Sequence, residues 1–234
     1  MRVTKCDFPP GIIGIISSDL SRFPAFTISL LSLLVPPGTG WKWVRGNGFA
    51  SNRNLIIKGM TPEHRWAWFI DDDHTFEADI LMRLLHRNVD IVQPMVSTRK
   101  PPFQPYAYMR NPDIGYHSLQ WSDLPENGLH PVDAVGAGGV LIRREVIDEI
   151  GDPWFEEGKI GAGSLGEDLY FMQKAKENGH QSFIDCEARI GHIGTHEVWP
   201  HFNEGKWCID LDLLHNVVVR VDANIGINTA FAED

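Results

Sequence analysis

The stretch Trp66-Ala67-Trp68-Phe69-Ile70-Asp71-Asp72-Asp73-His74 constrains this chain most. Its uninterrupted apolar run reads as a strand buried on both faces, as in a parallel sheet covered by helices. The run stops abruptly at three carboxylates and an imidazole. Strand carboxyl ends are where open α/β sheets hold ligands. Adjacent carboxylates repel one another, so this cluster costs stability unless a cation or polar partners compensate. A hard divalent ion, Mg2+ or Mn2+, suits oxygen ligands. Asp71 and Asp73 stand two apart and share one face while the chain stays extended. The same acids also read as a turn capping a following helix, with Asp73 or Thr75 as N-cap.

Upstream, Gly11 to Asp19 is a β-branched run ending in small polar residues. It predicts a first parallel strand with Ser17, Ser18 and Asp19 at its carboxyl end. Ser21 can cap an apolar helix over 23–34, expected to be buried and stopped by Pro36-Pro37-Gly38. A second strand over 41–45, a Gly46-Asn47-Gly48 turn and a helix over 50–60 lead to the central strand. Strand, helix, strand, helix, strand predicts a doubly wound, mostly parallel α/β sheet with right-handed crossovers. The Gly-x-Gly-x-x-Gly fingerprint is missing, because Gly11-x-x-Gly14 lies inside the strand; this argues against a nicotinamide cofactor.

Downstream, apolar positions 80, 81, 84 and 85 predict a helix over 78–86 packed on the sheet, followed by a strand over 89–94. Residues 99–128 are rich in Pro, Tyr, Asn and Asp and read as a long loop, of a kind that is usually functional or partly disordered. Strands over 131–135 and 140–142 flank Gly136-Ala-Gly138-Gly139, whose glycines admit another backbone or a ligand. A helix over 144–150, a turn over 152–156, a flexible loop over 161–166, a helix over 169–177 and a strand over 180–186 follow. Residues 188–196 read as a glycine-punctuated loop carrying His192 and His196, and 217–221 as an edge strand. One domain is expected over 1–210, with halves at 11–98 and 99–210 and a C-terminal arm over 211–234.

A formal net charge of -10 excludes a general basic surface for nucleic acid, though not a local groove. Cys6, Cys186 and Cys208 have no metal-type spacing, and an odd count predicts free thiols, a reducing compartment and a cytoplasmic location. The apolar stretch 23–37 is too short and too polar for a membrane span, and residues 1–7 lack the pattern of a secretion signal.

Four pieces stand in one order: Ala50-Ser-Asn-Arg53-Asn54; Asp71-x-Asp73; Gly136-Ala-Gly138-Gly139 before an apolar strand and Arg143-Arg144; and Gly166-Glu167-Asp168 opening a helix. That order resembles the family-2-type inverting glycosyltransferases of the GT-A fold, over residues 11–196. The resemblance implies transfer of a sugar from a nucleoside-diphosphate sugar to an acceptor hydroxyl on a glycan, a protein or a modified DNA base. It implies that Asp73 coordinates the metal, Mn2+ or Mg2+, that Asp71 contacts ribose or metal, and that Arg53 and Asn54 lie near the nucleotide. It implies that Asp168 is the base and His192, or in its place His196, a later metal or diphosphate ligand. Ser17, Asp19, Asp72, Gly138 and Gly139 complete the expected donor-binding set. The second strand ends Val44-Arg45-Gly46-Asn47, without the acid that holds the nucleotide base in many members, so UDP is only the family default.

The chemistry is consistent on its own terms. A divalent metal neutralises a leaving diphosphate as a Lewis acid, and a carboxylate can take the acceptor proton. Asp168 at a helix N-terminus stays ionised there, or simply caps the helix. Arg143 and Arg144 either pair with phosphate or are surface charges, and Trp154, Trp199 and Trp207 either stack on a sugar or pack. A metal-dependent nucleotidyltransferase or phosphohydrolase could use the same carboxylates, and a sugar-binding module could retain the fold without catalysis.

Overall fold

The computed structural model describes residues 8–17, 23–111, 115–160, 163–194, 197–212 and 218–223. β1 (Ile12–Ser17) is wholly buried and is flanked by β2 (Gly40–Arg45) and β3 (Trp66–Asp71), both parallel to it. Alternation along β1 separates two core layers. Ile13 and Ile15 face Phe26, Trp66, Trp68 and Ile70, whereas Ile12 and Ile16 face Ile56, Ile57 and Phe69. α1 (Pro24–Ser32) covers the first layer and α2 (Phe49–Ile57) the second. Gly14 explains the close seat of α2, since a Cβ there would lie 2.5 Å from an Ile56 methyl. The glycine inside the strand therefore serves helix packing.

After β3 the chain turns and returns as β4 (His74–Phe76), so neither Asp73 nor Thr75 caps a helix. α3 (Ile80–Arg87) buries Ile80, Leu81, Leu84 and Leu85 as the spacing predicts and ends on a left-handed Asn88. β5 (Ile91–Met95) follows. The segment expected to be a long loop holds β6 (Ala107–Asn111) and β7 (Gly115–Ser118), which form a small sheet with β9 (Ala134–Val135) after β8 (Leu129–Val132). β10 (Leu141–Arg143) runs antiparallel between β3 and β5, which makes the sheet mixed. α4 (Arg144–Ile150) leads to β11 (Gly158–Ile160) and β12 (Gly163–Leu165), an antiparallel pair where a flexible loop was expected. α5 (Glu167–Glu177) begins two residues earlier than the apolar pattern indicates.

β13 (Ser182–Ile193) is the largest departure from the sequence reading, because it continues through the expected loop. A register shift between Asp185 and Arg189 redirects it from β5 and β8 toward β4 and β14 (Glu197–Asn203). β15 (Lys206–Asp212) runs through residue 210, and β16 (Val218–Asp222) closes that edge. The eleven-stranded sheet has β16 at one end and β2 at the other. α1 is not the buried helix expected: Ile28 is 69% and Leu31 84% exposed. No helix among the described residues is long and apolar enough to cross a membrane.

Candidate active site

The central acids occupy the carboxyl edge of β3, held by their own backbone. The Asp72 amide donates to the Ile16 carbonyl at 3.1 Å, and the Ile193 amide donates to the Asp73 carbonyl at 2.6 Å. Antiparallel pairing sets His74 on β4 directly opposite His192 on β13. Cross-strand partners meet side by side, and the two imidazoles stack with centroids 4.6 Å apart and planes 14° from parallel.

Asp73 projects between these rings. Its Oδ1 lies 3.3 Å from His74 Nδ1, and its Oδ2 lies 3.4 Å from His192 Nε2 and 2.5 Å from Arg99 Nη1. His192 Nδ1 lies 2.9 Å from the Ser97 carbonyl, an acceptor only, so Nδ1 carries the proton. His192 Nε2 is thereby aimed at a carboxylate oxygen of Asp73, a pair of atoms that a proton or a metal ion can bridge. Burial pushes the Asp73 carboxyl up, but the hydrogen bond with His192 and the charges of His74, His192 and Arg99 outweigh it and hold the pKa at about 2. Burial and the neighbouring His192 lower His74, against the opposing pull of Asp73 and Asp71, which favours the neutral form able to ligate a metal. One ligand atom from each of Asp73, His74 and His192 lies within 4.8 Å of the others. Buried Asp73 Oδ1 has no hydrogen-bond partner, so the donor set fits a divalent ion.

Asp71 is not part of that triplet. The turn at Asp72-Asp73 ends the extended geometry in which Asp71 and Asp73 would share a face, and Asp71 Oδ1 sits 4.0 Å from Arg53 Nη2. Arg53 is only 3% exposed. Its guanidinium pairs with Glu167 at the start of α5 and lies 5.6 Å and 5.8 Å from the ring centroids of Phe49 and Phe155. Burial raises the Glu167 carboxyl, and the Arg53 charge opposes that shift. Arg53 thus ties α2 to both β3 and α5.

Two adjoining clefts share Phe49, Asp71, Tyr106 and His192. The larger, about 430 Å³, lies over the ends of β1 and β3 and includes Ser17, Asn52, Asp72 and Arg99. The smaller, about 280 Å³, is lined by Arg53, His74, Gln93, Gly138, Glu167 and Asp168. Asp168 is the second residue of α5, and its Oδ1 accepts the Leu169 amide at 2.8 Å. Gly138 passes over the cluster so closely that a Cβ would lie 2.9 Å from His74 Cε1 and 3.1 Å from Asp71 Oδ2. Gln93 holds that loop by donating to the Gly138 carbonyl at 3.0 Å. Gly139, at φ +90°, gives its amide to the Phe69 carbonyl and accepts from the Trp68 indole.

Several expected residues have other work. Ser17 accepts the Trp43 indole. Asn54 is turned away from both clefts, with its amide bonded at 2.7 Å and 2.9 Å to the Phe155 backbone. Arg143 lies opposite Trp66, at the far end of β3, and bonds to the Val89 carbonyl; Arg144 pairs with Asp148. Trp207 is buried against Trp121 and Arg189, Trp154 donates to the Ile147 carbonyl, and Trp199 donates to Glu197. Cys186 and Cys208 are buried free thiols. Asp19 and His196 lie outside the described residues. The sequence reading missed His74, Gln93, Arg99, Tyr106 and Asn52 as site residues. Only His74 carried a signal, its place directly after the acids.

No known family profile matches the sequence, and no curated protein sequence does. Many solved structures are similar in fold, and two illustrate the likeness. A197 from STIV is 16% identical, with 91% of this chain and 98% of that chain covered and a TM-score of 0.54. GalNAc-T7, solved with UDP, GalNAc and Mn2+, is 12% identical, with 80% of this chain covered and a TM-score of 0.54; the match spans 44% of that chain. The architecture of this chain is the GT-A fold.

Proposed function

We propose that this protein is a metal-dependent inverting glycosyltransferase of family-2 type, transferring a sugar from a nucleoside-diphosphate sugar to an acceptor hydroxyl. The observation that carries the reading is the Asp73–His74–His192 cluster at the carboxyl edge of β3, adjoining a cleft walled by Asp168. The donor lies in the larger cleft, with its diphosphate toward Asp73 and its sugar toward the smaller one. Asp73, His74 and His192 hold Mn2+ or Mg2+, and that ion, when bound, supplies positive charge to the leaving diphosphate. Arg53 keeps Asp71 and Glu167 in place rather than touching the nucleotide. Asp168 Oδ2 accepts the proton of the attacking hydroxyl, while its Oδ1 is held by the Leu169 amide. Tyr106 lines both clefts and Gly138 the smaller one. UDP is the first nucleotide carrier to test.

The deciding experiment incubates the full chain with a panel of nucleotide sugars and Mn2+, with and without chelator, and measures released nucleoside diphosphate. Diphosphate released only without chelator supports the proposal. Release of nucleoside monophosphate or pyrophosphate instead would turn the assignment to phosphoanhydride chemistry at the same cluster.

A further inference from the structure

Three buried side-chain atoms in the wall of the smaller cleft have no hydrogen-bond partner: Gln93 Oε1, Asp71 Oδ1 and Arg53 Nε. A buried polar atom left unpaired costs stability, and one in the wall of a cavity points to a ligand that completes it. Gln93 is the most informative of the three. It is 1% exposed, and its Nε2 donates to the Gly138 carbonyl at 3.0 Å. Turning the amide over would set its oxygen against that carbonyl, so the unpaired atom is the oxygen. An amide oxygen only accepts, and what it lacks is therefore an O–H or an N–H.

The rest of the wall asks for the same kind of partner. Asp71, Glu167 and Asp168 line the cleft, and Arg53 is the only Lys or Arg among the described residues that do. Its guanidinium already pairs with Glu167 and stands 4.0 Å from Asp71. One committed guanidinium among three carboxylates leaves the wall negative and rich in acceptors. A neutral ring bearing hydroxyls suits such a wall, because every hydroxyl can donate. A ring that also bears a carboxylate brings a like charge and finds no free cation to meet it.

We propose that the smaller cleft selects an uncharged donor sugar, one of whose hydroxyls donates to Gln93 Oε1, and rejects the corresponding uronic acid. The inference rests on the reading above that the sugar of the donor lies in this cleft. The ion held at Asp73 does not relieve the repulsion, since the diphosphate takes up its charge. Gln93 is then a specificity residue on the ligand side and a support of the Gly138 loop on the other.

Calorimetric titration of the full chain in Mn2+ tests this with UDP, UDP-glucose and UDP-glucuronate, and with GDP, GDP-mannose and GDP-mannuronate. The hexose donor should bind roughly thirtyfold more tightly than its uronate, the scale of one like charge about 8 Å away at an effective dielectric of about 20. Among deoxy analogues of that hexose donor, one should bind about tenfold more weakly, because it leaves Gln93 Oε1 unpaired. Gln93→Met should lose the same factor for the parent sugar and nothing further for that analogue. The uronate and deoxy comparisons use the wild-type chain and stand without the variant. A uronate bound as tightly as its hexose overturns the proposal, and so do equal losses for parent and all analogues in Gln93→Met, which would leave Gln93 only its loop. If neither UDP nor GDP binds, the donor reading itself fails and this inference falls with it; if one binds and the sugars are not distinguished, this inference alone fails.

Discussion

Asp168 and Glu167 are neighbours with different partners, the Leu169 amide for one and the Arg53 guanidinium for the other. Asp168→Asn preserves the oxygen that accepts the Leu169 amide but cannot take a proton. Turnover should fall by on the order of 10²–10⁴ with little change in melting temperature. Near-normal turnover in steady-state assays would reduce Asp168 to a helix-start residue. Glu167→Gln should instead lower stability by about 1–3 kcal/mol in urea unfolding, because it weakens a charged hydrogen bond to the buried Arg53 guanidinium. Arg99, about half exposed, places Nη1 on the Asp73 oxygen that also faces His192. A guanidinium there competes with a metal ion, so Arg99→Ala should tighten Mn2+ binding roughly fivefold, the worth of an exposed ion pair. Calorimetric titration without nucleotide checks this, and unchanged or weaker binding removes Arg99 from the competition. The acids and Asp168 were legible in the sequence, because an apolar run ending in carboxylates and a Gly-Glu-Asp helix start are local patterns. Arg99, Gln93 and Tyr106 were not, because nothing local distinguishes them; long-range pairing brings them to the cleft.

Among the elements, α3 shows a pattern that suffices: its apolar spacing fixes the buried face without further information. α1 shows one that does not. Its composition is apolar all round, and only the position of the sheet decides that Ile28 and Leu31 face outward. β4 was hidden because three residues are too few for a period, and its strand character comes from pairing with β13. The contact of α2 with β1 can be tested directly. Gly14→Ala should destabilise by about 1–3 kcal/mol, since the added methyl meets Ile56 at 2.5 Å. Ile56→Val on that background should recover part of the loss, and additive effects in a double-mutant cycle would show that the two do not compete for space. His180 joins three elements, meeting Asp90 before β5 at 2.9 Å and Glu149 in α4 at 3.1 Å, just ahead of β13. Burial lowers its imidazole, but hydrogen bonds and charge from both carboxylates outweigh that and raise it above 6.5. A raised folded value stabilises fully below the unfolded pKa of 6.5 and loses that contribution as pH climbs through the folded value. Wild type should therefore exceed His180→Gln in melting temperature below pH 6.5, with the gap shrinking toward alkaline pH. A gap independent of pH would make His180 a packing residue only.

Across the whole molecule, the sequence announced the half of the sheet built from consecutive βα units, β1 to β3 with their helices. It concealed the half in which strands reverse direction, because β10 enters antiparallel between β3 and β5 and β13 changes partners midway. Such pairings join residues far apart in the chain and leave no period to read. β13 also has a thermodynamic consequence. It is one continuous strand whose first half pairs with β5 and β8, while its second half carries His192 and pairs with β4 and β14. Its length makes the site and the outer meander of β14 to β16 one cooperative unit for local opening. A cation held by His192 disfavours every partly opened form in which β13 has parted from β4. Amides of Val198 and Ile209, on strands that supply no ligand atom to the Asp73–His74–His192 cluster, should then exchange with deuterium more slowly when Mn2+ is added. The edge of the sheet would report, by its isotope exchange, whether its centre is occupied.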